Sequence, residues 1–237
     1  MIQQSLADQE WAAPVWGNYR TNMEFLQRVG LLDRPSTILE VGCGKGMLLN
    51  ALNEAGHTVM GIDIDAAPIS VCRSQFPALK VKVASGDSIP CPAASFDVVV
   101  SFDVFEHIRD SDCHLREVAR VLRPGGCYLL QTPNKWTNIP FELLRNWRKY
   151  HLGPISAYRE LLTDHCALHS YWQLKRRLAR NGFHATVFDM PVVNNYFITK
   201  LHTYLGVLAS PMLAVLNPDR LPRPLRTNFY VRADLTH

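Results

Sequence analysis

Apolar positions along the chain fall into two rhythms. Short, dense runs alternate with stretches in which apolar residues recur every three or four positions. The runs at 37–41, 58–64, 81–84, 97–101 and 126–131 predict buried strands. The first stretch between them predicts a helix over about 45–55, closed by Gly56 at its C′ position. A later helix, over about 113–122, should stop before Pro124-Gly125-Gly126, a turn into the fifth strand. Strands that alternate with helices in this way build βαβ units and a mostly parallel sheet.

Past Thr132 the rhythm changes. Residues 133–169 predict a helical or irregular insertion containing FELLRNWRKY. Ser170-Tyr171-Trp172-Gln173 reads as a capping box opening a helix that ends at Asn181-Gly182. GFHATVFDM suggests a sixth strand and FYVRADL, at 229–235, alternates like a seventh, with an apolar, proline-rich insertion at about 191–227 between them. The expected organisation is one domain, with a core at about 36–135, 170–190 and 228–237. Insertions at 133–169 and 191–227 would form a lid or substrate pocket. Trp11, Trp16 and Tyr19 suit an N-terminal helix over the mouth of a ligand site at the strand ends, or ordinary core packing.

Composition narrows the class. A chain of 237 residues with 47% hydrophobic content can bury a full core as one domain. A net charge of +4 describes a mildly basic protein, without the dense Lys/Arg patch that nucleic acid demands. The six cysteines (Cys43, Cys72, Cys91, Cys113, Cys127, Cys166) contain no C-x-x-C pair, which suits reduced cytosolic thiols and neither a disulfide frame nor a zinc site. MIQQSLADQEW has no basic or apolar leader pattern, so a cytoplasmic protein is expected. The longest apolar candidate, TYLGVLASPMLAVLN at 203–217, is shorter than the roughly 18–20 residues that span a bilayer and contains Pro211.

The chemistry is concentrated in ILEVGCGKGMLLNAL, at 38–52. After a parallel strand, the next helix offers free N–H groups to whatever occupies the crevice, and glycines let a ligand approach the backbone closely. A packing turn explains one glycine but not three at alternate positions behind an acid. A dinucleotide fingerprint, G-x-G-x-x-G, would put its third glycine at position 47, where Met47 stands. Glu40 would also repel a pyrophosphate, whereas it suits the amino end of a cationic cofactor.

Glu40-Val41-Gly42-Cys43-Gly44-Lys45-Gly46 resembles motif I, E/D-x-G-x-G-x-G, of class I S-adenosylmethionine-dependent methyltransferases. The resemblance continues in order. Asp63 in GIDID matches the acid that accepts from both ribose hydroxyls, although an NAD site places an acid similarly. Asp87 in GDSIP matches the acid that accepts from the adenine amino group, with Ser88 or Ile89 supplying backbone and ring contact. FDVVVSFDVFEHI and RVLRPGGCYLLQTPN resemble the fourth-strand loop and the following helix-turn-strand of the quinone-biosynthesis-like, small-molecule branch. The match spans about residues 36–135. It implies a Rossmann-like fold: a seven-stranded α/β sheet of six parallel strands plus an antiparallel last one. It also implies S-adenosylmethionine as methyl donor, S-adenosylhomocysteine as product, and a cofactor set of Glu40, Gly42, Cys43, Gly44, Gly46, Asp63, Ile64, Asp87, Ser88, Ser101 and Phe102.

His107, beside Glu106 and just past the fourth strand, could take a proton from an acceptor hydroxyl as a general base, or could simply shape the loop. Asp164, His165 and His169 would put two histidines four apart on a helix, but zinc spacing is missing, so capping or packing is preferred and no metal is expected. Pro90-Cys91 stands before the fourth strand and is not read as a nucleophile. The Asn-Pro-Pro-Tyr-like motif of amino-group nucleic-acid methyltransferases is replaced by Ser101-Phe102-Asp103-Val104.

Lys175, Arg176, Arg177 and Arg180, with Arg145, Arg148 and Lys149, make basic faces whose default reading is solvation. Beside the apolar 195–217 segment they would also suit a membrane surface or an amphiphilic substrate. The apolar insertions favour a hydrophobic acceptor (a lipid, quinone or secondary metabolite), with O-methylation ahead of N or C. An RNA or protein methyltransferase would need a continuous basic groove. A non-catalytic S-adenosylmethionine-binding subunit would show an eroded glycine loop or a missing ribose acid, and both are intact.

Overall fold

The computed structural model describes residues 18–137, 139, 165–191, 198, 202–203, 205–215 and 217–236. Seven strands form one sheet: β1 (Thr37–Val41), β2 (Thr58–Asp63), β3 (Lys80–Val83), β4 (Phe96–Phe102), β5 (Leu122–Pro133), β6 (Phe183–Phe188) and β7 (Asn228–Leu235), in the spatial order β3-β2-β1-β4-β5-β7-β6. β1 to β5 pair in parallel. β7 pairs antiparallel with both β5 and β6, so β6 runs with the first five, as expected. The order reverses between β1 and β4, and their carboxyl ends flank the crevice where α/β sheets bind ligands.

Side chains alternate across these strands and feed two cores. On one face Leu39, Val41, Val99, Leu130 and Val231 pack with Leu115 and Val118 of α4 (Ser111–Val121) and Leu174 and Leu178 of α5 (Tyr171–Arg180). On the other, Ile38, Val59, Val98, Val100 and Leu129 pack with Phe25 of α1 (Tyr19–Arg28), Leu49 of α2 (Met47–Glu54) and Ile69 of α3 (Ala66–Gln75). Three layers result, with helices on both faces of the sheet.

The boundaries differ from expectation for local reasons. α2 begins at Met47, not near Lys45, because Gly46 is its left-handed N-cap (φ 80°). α3 was not anticipated from periodicity: it buries only Ile69 and Cys72, too narrow an apolar stripe to register. It is instead opened by Asp65, whose side chain accepts from the Ala67 amide at 2.9 Å. The Pro124-Gly125-Gly126 turn lies inside β5. Phe96 faces Leu122 and Val98 faces Cys127, so residues 123–126 bulge out of the ladder. Ser170 and Gln173 do form the capping box.

Each insertion is described only in part. Asn134 and His169 form an isolated bridge that brings the ends of the first together, and the Lys135 amide donates to the His169 carbonyl at 3.0 Å. The second carries a short helix, α6 (Ala209–Val215), and the 3₁₀ turns Pro218–Arg220 and Arg223–Leu225. Trp11, Trp16, Asp164, FELLRNWRKY and most of 191–204 lie outside the described residues. Among the described residues no helix is long and apolar enough to cross a membrane.

Candidate functional site

β1 and β2 are held in register up to their tips, and the turn after β1 is pinned there. The amides of Gly42 and Cys43 both donate to the Ile62 carbonyl, at 2.7 and 3.1 Å. Gly42, Gly44 and Gly46 all have positive φ, which L side chains rarely adopt. Two of them also have packing reasons to be glycine: a Cβ on Gly42 would sit 2.2 Å from Val104 Cγ2, and one on Gly46 2.3 Å from Cys72 Sγ. Gly44 is different. Among the described residues, nothing beyond its chain neighbours lies within 4 Å of a Cβ built there, so none of them fills the space over the middle of the turn.

Glu40 stands beneath that turn. It is 7% exposed, and its Oε2 has no hydrogen-bond partner among the described residues. Burial pushes its carboxyl up to about 8, helped by the nearby Asp63 charge and opposed by the Leu49 amide. A buried acid with an unsatisfied oxygen is expensive unless a cation or donor completes it. Cys43, behind the turn, is buried and its thiol is held protonated by burial and the Glu40 charge.

Asp63 closes β2 and clamps the turn. One of its oxygens accepts from the Gly44 amide at 2.8 Å and the other from the Asp65 amide at 2.9 Å, leaving each with a further lone pair. Ile64, next along, is 75% exposed. After β3, Asp87 accepts from Ser85 Oγ, and Ser88 is exposed. Ile89 is 3% exposed inside the core and its amide donates to Glu117 at 2.9 Å. The Ser101 hydroxyl is fully buried against Tyr128 Oη at 2.5 Å. Phe102 packs edge-on to Phe25 at 6.1 Å between ring centroids.

On the other side of the crevice a 3₁₀ turn, Phe105–His107, follows β4. Glu106 is buried and accepts from Thr132 Oγ1 at 3.0 Å. Desolvation, with Asp103 adding to it, pushes its carboxyl up to about 8. His107 is exposed, and its ring meets that of His165 edge-on at 5.0 Å. Glu106, His107 and His165 thus bring one carboxylate oxygen and two ring nitrogens within 4.8 Å of one another, a donor set that a divalent ion could accept.

His165 and His169 do not share a helix. Residues 165–167 form a turn, and His169 packs on the Phe105 ring at 5.3 Å, where burial and then Arg177 lower it to about 4.

Some contacts around the site were invisible in sequence. Asp103 holds a positive φ of 55°, uncommon outside glycine and frequent at functional turns. The N-cap residue of α1, Asn18, donates to its carboxylate at 3.0 Å and so ties that helix across the crevice. Tyr19 lies within electrostatic reach of Glu40. Behind the Asp87 loop, buried His114 links the Gly86 carbonyl (2.7 Å) to Tyr128 Oη (2.9 Å). A carbonyl only accepts, so Nδ1 carries the proton, Nε2 accepts from Tyr128, and Ser101 in turn donates to Tyr128. Full burial lowers His114 to about 4, which keeps the relay neutral. No short-range signal encodes contacts of this kind.

The family model "Methyltransferase domain" matches residues 15–186. A probable S-adenosylmethionine-dependent methyltransferase of Mycolicibacterium smegmatis is 39% identical over 103 residues, which are 44% of this chain and 40% of that protein. A ubiquinone biosynthesis O-methyltransferase of Pseudomonas paraeruginosa is 33% identical over 117 residues, covering 46% of this chain and 48% of the relative. The matched stretch therefore spans less than half the length of these relatives. In fold, the chain superposes on the putative methyltransferase solved in complex with the Haloferax volcanii Trm112 methyltransferase activator. The TM-score is 0.63 at 17% identity, over 94% of this chain and 97% of the other.

Proposed function

The chain belongs to the methyltransferase domain family, and from that premise we propose that it methylates an oxygen of an apolar small molecule, with S-adenosylmethionine as donor. The observation that carries the cofactor reading is the pair formed by Gly44 and Glu40. A turn open at its middle glycine lies over a buried carboxyl with an unpartnered oxygen. A pyrophosphate brings no donor for that oxygen and would oppose ionisation of Glu40, whereas a ligand with a cationic amino end would complete it.

Each residue has a role within that reading. Glu40 releases its proton and takes the ammonium end, while the turn at 42–46 lies against the methionine backbone. Asp63 accepts the ribose hydroxyls on its remaining lone pairs and Asp87 the adenine amine, with exposed Ile64 packing on the ring. Cys43 shapes the turn from behind, Ser88 borders the adenine, and Ser101 and Phe102 hold the strand end beneath the acceptor. The donor supplies, when bound, an electrophilic methyl on a positively charged sulfur. His107 takes the acceptor's hydroxyl proton as general base. The two insertions exclude water from the acceptor, which favours a reaction that consumes charge. Exposed Val207, Leu208 and Leu225 on the second insertion, and Trp136 at the foot of the first, favour an apolar acceptor. The quinone-methylating relative points to the same class.

Calorimetric titration with S-adenosylmethionine and with NAD, on wild type and Asp63→Ala, tests the cofactor reading; binding of NAD alone would sink it. Turnover against phenols, quinones and lipids follows. His107→Ala should lose on the order of 100-fold in turnover. Unchanged turnover removes the base role. A second reading comes from the Glu106–His107–His165 cluster: loss of turnover on chelation, restored by one divalent ion, would make these residues metal ligands instead.

A further inference from the structure

A cavity of about 360 Å³ lies between α4 and α5, separate from the glycine turn. Four arginines line it, Arg109, Arg176, Arg177 and Arg180. The single acid on its wall, Asp112, is already engaged: it pairs with Arg177 at 3.3 Å and accepts from Asn181 at 2.8 Å. Among the described residues no carboxylate pairs with Arg109, Arg176 or Arg180, and α5 itself contains no acid. His169, also on the wall, is uncharged at neutral pH.

A solvated basic face is the ordinary fate of such residues, but two features argue against it here. Arg176 and Arg180 stand one turn apart on α5, where like charges repel and destabilise the helix. Arg109, distant in sequence, converges on the same concavity instead of pointing away. Like-charged, fork-shaped donors gathered around a hollow match an oxyanion, and a multiply charged one best. Gln173 adds to this. Its side-chain oxygen accepts from the Ser170 amide, so its NH₂ is the group left for a ligand.

We propose that this cavity is a binding site for a phosphate group. The site lies directly behind the proposed acceptor region: Cys166 and Ala167 form part of its wall, and the Ala167 amide donates to the Glu106 carbonyl at 2.8 Å.

The phosphate could arrive on a soluble monoester or as a phospholipid headgroup. Thermal shift and calorimetry with glycerol phosphate, at constant ionic strength, form one arm. Cosedimentation with phosphatidylglycerol vesicles, against phosphatidylcholine vesicles, forms the other. The Arg176→Gln/Arg180→Gln variant changes two exposed side chains, so its melting curve should match wild type. Saturable binding in either arm, weakened at least tenfold in the variant and unchanged by excess S-adenosylmethionine, supports the site, and the responding arm identifies the source. Binding in neither arm, equal binding by the variant, competition by S-adenosylmethionine, or tighter binding of a single-stranded RNA than of either probe would overturn it.

Discussion

Two buried glutamates stand on the strands that flank the reversal point of the sheet, one within β1 and one just past β4, and they differ in one atom. Glu40, on β1, and Glu106, after β4, are both pushed to about 8, burial being the largest cause for each and a neighbouring aspartate the next. Glu106 has its own donor in Thr132, whereas Glu40 has an oxygen with none. A carboxyl satisfied from within shapes its loop. One left incomplete is built for something that arrives from outside. The contrast separates a group that binds from a group that positions, although titration behaviour alone would rank them as equals.

The largest expected effect tests the incomplete member. Glu40→Gln should weaken S-adenosylmethionine binding by on the order of 100-fold, as expected for removal of one partner of a buried charge pair. Glu106→Gln should leave it within about twofold, because no part of the proposed cofactor set rests on it. Equal losses in the two variants would dissolve the comparison.

Proton linkage gives a second measurement. With its carboxyl near 8, Glu40 is largely protonated at pH 7 in the free protein. Completing it with a cation should release about one proton per donor bound. Calorimetry in buffers of different ionisation enthalpy reads this directly; the release should disappear in Glu40→Gln and persist in Glu106→Gln.

Stability carries the same signature with a definite sign. Between about 4.5 and 8 the folded protein holds protons on Glu40 and Glu106 that the unfolded chain has lost. Their contribution is complete below the unfolded value and is lost as pH rises through 8. Both glutamine variants should therefore gain in melting temperature relative to wild type as pH rises across that window. The gain should be on the order of 10 °C, since a shift of this size is worth several kcal/mol by linkage and roughly 1 kcal/mol moves a domain of this size by about 2–4 °C. A difference that is flat with pH would mean neither carboxyl is perturbed.

The two halves of the crevice were not equally legible. The Glu40 side is encoded locally: strand, acid, alternating glycines and the Asp63 clamp fall within 37–65, where spacing and the family resemblance together point to them. What the sequence could not say is that Gly42 and Gly46 answer to Val104 and Cys72 while Gly44 answers to no other described residue. The Glu106 side depends on contacts between distant positions. The Cys166 thiol donates to the His107 carbonyl at 3.3 Å, and Thr132 reaches Glu106 from β5. His165 and His169, read as neighbours on a helix, part company because residues 165–167 turn. Ser101 looked like a crevice residue by position, yet strand alternation carries its side chain down to Tyr128.

The smallest effect is also the most selective. Thr132→Val removes the donor to Glu106 while leaving the β5 ladder intact, a change of about 1 kcal/mol. That hydrogen bond favours the ionised carboxyl and opposes burial, so its loss should move Glu106 further above 8. The destabilisation should be small at pH 5, where the carboxyl is protonated, and should grow as pH passes 8. A carbon-detected titration of the glutamate carboxyls should show one midpoint moving and the other, that of Glu40, unmoved. If both moved together, the two acids would be one coupled unit across the crevice, and the division between a binding carboxyl and a positioning one would fail.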